Sequence, residues 1–149
     1  MYRLRPGTKS NPEKRWTLPD RVFFASGACH ILVYAFLERF PDAGFRPLWI
    51  RPTAGFTGNH IVAVNNAGRA FDYHGMAPFD RLYAHIHAKA NRWWPGWTAS
   101  LVELPKDALV SESKSRTYEG LWLREPKQFL HNALPRAERF LERFAFPDR

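Results

Sequence analysis

The chain has a single cysteine, Cys29, in 149 residues, so no disulfide can form within it. A lone thiol suits a reducing compartment, and no apolar stretch follows the basic residues Arg3 and Arg5 as a secretory leader would require. The expectation is a cytoplasmic protein. Long hydrophobic runs are also missing. The longest, Ala28 to Leu37, contains His30 and Tyr34 and falls short of the ~18 residues that cross a bilayer. Carboxylates are in deficit, 14 against 22 lysines and arginines, for a net charge of +8. That imbalance favours an acidic partner, nucleic acid or an anionic surface. The cations are nevertheless scattered: Arg3, Arg5, Lys9, Lys14 and Arg15 at one end, Arg136, Arg139, Arg143 and Arg149 at the other, the latter interleaved with Glu138 and Glu142. Most of them read as a solvated face. Core material is not scarce. With 45% hydrophobic and 15% aromatic residues, the chain can bury a core, which excludes disorder of the whole, and its length fits one domain.

Residues 1–20 hold Pro6, Pro12 and Pro19 without a clear period and read as an arm anchored by Trp16 and Leu18. The remainder, 21–149, reads as one α+β domain. Val22-Phe23-Phe24 suggests a short extended piece. Ser26 then suggests the N-cap of a helix from about Gly27 to Phe40, apolar nearly all round and therefore central and buried. Phe45 to Arg51 predicts a strand. His60 to Asn65 and Arg69 to Tyr73 flank Asn66-Ala67-Gly68 and predict a hairpin. Phe79 to Trp93 predicts a helix closed by Pro95-Gly96, and Ala99 to Leu104 a strand. Lys106 to Gly120 reads as loop, and helix follows from Pro126 to about Phe144, broken or kinked at Pro135.

The chemistry begins with position. A helix starting near Gly27 puts the Cys29 thiol in its first turn, where free backbone N–H groups and the helix dipole favour a thiolate. Gly27 and Ala28 are small, so substrate can approach the backbone, and the Cys29 N–H can donate to an oxyanion. A nucleophilic thiol needs a base, and the base an orienting group. His60 opens a strand after a glycine-containing loop, next to Asn59. Asp72 lies on the returning strand. With a three-residue loop, Asn65 pairs with Arg69, Val62 with Asp72 and His60 with His74, which puts His60, Asp72 and His74 on one face with side chains within reach. A two-residue loop would turn Asp72 away. Gly68 suits the left-handed position that the three-residue loop requires.

The residues in chain order are Ser26-Gly27-Ala28-Cys29 opening an apolar helix, Gly44 soon after it, Asn59-His60-Ile-Val beginning a strand and Gly68-Arg-Ala-Phe-Asp72 ending the next. Over about residues 22–75 this order resembles the transglutaminase-like branch of the papain-like cysteine enzymes. Val62 and Tyr73-His74 stand where many such sequences have an aromatic and Pro-Thr, and no glutamine precedes Cys29, Gln128 being the only one. The resemblance implies Cys29 as nucleophile, His60 as general base and Asp72 as its orienting group. It further implies a papain-like core with a central helix on an antiparallel sheet and helices after it. The implied reaction is amide hydrolysis or acyl transfer through a thioester on a protein or peptide, without a cofactor.

Other residue clusters carry weaker expectations. His60, Asp72 and His74 are ligand types that suit zinc, but no HExxH or paired-cysteine motif accompanies them, and the expectation is no metal. His85 and His87 would point to nearly opposite sides of a helix. His30 should point away from Cys29. Trp93, Trp94 and Trp97 beside Arg92 offer a second class of function, a non-enzymatic module stacking nucleic acid or another acidic partner. In the enzyme reading, Trp94 and its neighbours line a substrate groove instead.

Overall fold

The hairpin forms as its loop chemistry demands. In the computed structural model, which describes residues 1–146, Gly68 takes φ +77°, and Asn65 Oδ1 accepts the N–H groups of Ala67 and Arg69. Arg149 and the last residues of the 21–149 span lie outside the described residues. Strands β1 (Arg46–Pro52), β2 (His60–Val64), β3 (Arg69–Asp72), β4 (Gly75–Pro78) and β5 (Ala99–Glu103) form one antiparallel sheet in the order β4-β3-β2-β1-β5. Ala63 pairs with Phe71 and Val64 with Ala70, the register of the three-residue loop. The fold is α+β.

Helices cover both faces of the sheet. Helices α1 (Pro12–Trp16), α2 (Asp20–Ala25) and α3 (Cys29–Arg39) precede it, α4 (Phe79–Trp93) lies between β4 and β5, and α5 (Glu112–Ser115) and α6 (Ala133–Leu141) follow. On one face α3 packs Phe36 flat on Phe71, with ring centroids 4.4 Å apart, in a core shared with Trp49, Ile61, Ala63 and α6. On the other, Ile50, Val62, Val64 and Ala70 meet Leu82, Ile86 and Ala90 of α4, with Trp97 closing the cluster. The two side-chain sets alternate along each strand because strand side chains point to opposite faces.

Several expectations are corrected. Val22-Phe23-Phe24 is helical, in α2, because Phe23 and Phe24 are both wholly buried and three apolar residues on a single turn serve as well as alternation. Residues 1–20 contain α1, capped by the Asn11 side chain. They are anchored through Trp16 and Leu18, whose carbonyls accept from buried Arg136 at 2.6 Å each. Residues 106–120 hold a 3₁₀ turn (Lys106–Val110) and α5 rather than loop alone. The C-terminal helical stretch is broken at Phe129–Asn132, not at Pro135. Pro135 sits in the first turn of α6, where no backbone donor is required.

Candidate active site

Gly27 takes φ +98° and turns the chain from α2 into α3. Helix α3 then begins at Cys29, with Ala28 as its N-cap and no side-chain cap. This corrects the expected role of Ser26, whose carbonyl instead accepts from Arg15 Nη2 at 3.3 Å. The consequence favours chemistry: the first donors of α3 are left unblocked by a capping side chain. Arg15 packs so tightly beneath the turn that a Cβ on Gly27 would fall 2.0 Å from its Nη2.

His60 reaches the thiol because it opens β2. Val62 and Val64, which alternate with it, pack toward α4, but at the strand end the ring is free to meet the start of α3. It lines, with Cys29 and His30, a cavity of about 290 Å³. Its Nε2 donates to Asp72 Oδ2 at 2.8 Å, both groups buried. The nitrogen left for the thiol is therefore Nδ1. Asp72 does two jobs. Its Oδ1 accepts the His74 backbone N–H at 2.8 Å, closing the tight turn into β4, and His74 Nδ1 lies 3.1 Å away. A carboxylate held by that many donors cannot swing away from His60.

The electrostatics follow from these contacts. Burial pushes the Cys29 thiol up, but hydrogen bonding from His30 and His60 overcomes it and brings the thiol down to about 5. Burial lowers His60, yet Asp72 and the thiolate raise it to about 9. Burial likewise raises Asp72, and the two imidazoles hold it well below the usual carboxylate range. Both directions favour the same charge state, a thiolate beside an imidazolium.

His30 does not point away from the thiol as expected. It is buried, its Nε2 donates to the Arg124 carbonyl at 2.7 Å, and it contributes the larger share of the thiol's stabilisation by hydrogen bonding. No local signal marks this, since its anchor lies 94 residues along the chain. Asn59 is placed in both cavities of the site, and Trp49 Nε1 donates to its Oδ1 at 2.8 Å, fixing which end of the amide faces outward. Gly27 also lines both cavities and Trp94 the larger one. Ala28 is wholly buried and His74 works behind Asp72; neither lines these cavities. Trp97 does not belong to the expected tryptophan platform, being core with its indole donating to the Thr57 carbonyl, whereas Trp93, half-exposed, lies under Arg3 and Lys89. His85 faces His74, and His87 packs on Trp97.

The arrangement sets a thiol lowered toward its thiolate, an imidazole and a carboxylate bonded to that imidazole beside a cavity, a combination chemically suited to nucleophilic attack. No family model, curated protein or solved structure matches the chain, so its chemistry is read from this geometry.

Proposed function

We propose that the protein is a cysteine-dependent amide hydrolase or acyltransferase with a papain-like, transglutaminase-like core. The observation that carries this reading is that Cys29, at the uncapped start of a buried helix, shares a cavity with His60, which Asp72 holds by a buried hydrogen bond. A buried thiol lowered toward its thiolate beside an imidazole raised by its carboxylate is the kind of perturbation that clusters at functional sites.

The Cys29 thiolate attacks the carbonyl carbon of a peptide amide, forming a C–S bond while the carbonyl oxygen takes the negative charge. The Cys29 backbone N–H and the Asn59 amide group are the donors for that oxyanion. His60 gives its proton to the amide nitrogen, the C–N bond breaks and an amine leaves. The thioester is then attacked by water or a second amine, whose proton returns to His60, and the thiolate is released. Asp72 keeps His60 in the tautomer that presents Nδ1 throughout.

Hydroxylamine trapping tests the reading. A set of peptide amides incubated with the protein and hydroxylamine should release amine and form acyl hydroxamate, and Cys29→Ser should abolish both. Absence of any Cys29-dependent product across peptide amides would refute it.

A further inference from the structure

The thiol lines the smaller of two unlike cavities, and His60 borders both. Both share Gly27, Asn59 and His60, so they are two arms of one cleft. The smaller is bordered by Gly120–Leu123, including Trp122, which is 68% exposed, and contains no lysine, arginine or carboxylate. The larger, about 630 Å³, runs between the N-terminal arm and Trp93 and Trp94. Arg3, Arg5 and Lys9 line it, no carboxylate does, and none of the three pairs with a carboxylate among the described residues. Arg3 lies over the Trp93 ring at 4.9 Å, which holds one guanidinium at the cavity wall.

We infer that the site takes an extended peptide bearing carboxylate side chains on one side only of the amide that Cys29 attacks. The inference rests on the catalytic reading above and adds the substrate class. Two cavities that meet at Gly27, Asn59 and His60, with the thiol lining the smaller, accommodate a chain that continues past the reacting carbonyl in both directions, which a terminal side-chain amide on a small molecule does not. Three unpaired cations with no opposing carboxylate make the larger cavity complementary to acidic groups. The indole wall of Trp93 and Trp94 packs the aliphatic stems of glutamates. A nucleic-acid strand is the poorer fit, because its charge repeats at every residue and no lysine or arginine lines the smaller cavity to meet it.

Binding is measured first, with the Cys29→Ala protein so that no turnover intervenes. The probes are synthetic peptides of equal length with glutamates before a central amide, after it, or replaced throughout by glutamine, and an oligo-dT of similar charge. One of the two glutamate peptides should bind about tenfold tighter than the other and than the glutamine peptide, losing that advantage as salt rises. Arg3→Glu with Arg5→Glu should remove the preference, as should Lys9→Glu in part; all three side chains are exposed, so the fold is retained. Equal binding of all peptides, equal binding of both glutamate peptides, or preferential binding of oligo-dT would overturn the inference. Its failure is separable from that of the catalytic reading. Acid-selective binding without Cys29-dependent chemistry in the unaltered protein leaves the groove standing and removes the enzyme. Cys29-dependent turnover indifferent to peptide charge and to Arg3 and Arg5 does the reverse.

Discussion

The two long helices flanking the sheet are built to opposite specifications. Of the eleven residues of α3, eight are buried, and the helix sits under the sheet, α2 and α6. Of the fifteen of α4, only Leu82, Ile86 and Ala90 are buried, and its C-terminal end carries Trp93 and leads to Trp94, both half-exposed. The proposed nucleophile stands on the helix that cannot shift without breaking the core. The groove wall stands on the one that is mostly surface. A reacting sulfur must be held within a fraction of an ångström, whereas a wall that binds side chains tolerates adjustment. Changes on the α3 side should therefore strike the chemical step, and changes on the α4 side should strike binding.

The largest effect expected is from Asp72→Asn. An amide leaves the volume unchanged but no longer stabilises the imidazolium, and kcat should fall by about 10³-fold or more with KM little altered. Steady-state kinetics decide it, and an unchanged kcat would remove Asp72 from the mechanism. Gly27→Ala comes next. The added Cβ meets Arg15 at 2.0 Å and φ +98° is strained for alanine, so destabilisation of ~1–3 kcal/mol in urea unfolding should accompany loss of activity. Trp94→Ala should be the mildest, raising KM several-fold while leaving Cys29 alkylation at its original rate. A fall in alkylation rate instead would mean that the two sides are not separable.

How much of this was legible in the sequence differs by element. The hairpin register was readable because Gly68 at a left-handed position and the flanking alternation both demand one loop length, and the diagonal side-chain contact of His60 with Asp72 follows from it. Helix α4 was readable from its period and from Pro95-Gly96. Strand β4 was not, since Gly75-Met76-Ala77-Pro78 carries no β-branched residue and is set by pairing with β3 rather than by its own preference. A serine before an apolar run is ordinarily a cap, but here Gly27 redirects the chain after Ser26 and the helix starts later. The half of the site that sequence periodicity misses is the long-range half. His30 is aimed by the Arg124 carbonyl, and the cleft exists only because residues 1–9, 57–60 and 93–94 converge.

The central claim, that His60 together with His30 holds Cys29 as a thiolate, is tested most directly by the pH dependence of Cys29 alkylation with iodoacetamide. A thiol lowered to about 5 loses its proton as pH rises through that value, so the rate should climb near pH 5 and stay level to about pH 9. His60→Ala should cut the rate at pH 6 by about tenfold or more and move the climb upward, toward the ~8.5 of an unperturbed thiol. A rate in the unaltered protein that climbs only near pH 8.5 and is indifferent to His60→Ala would contradict the account.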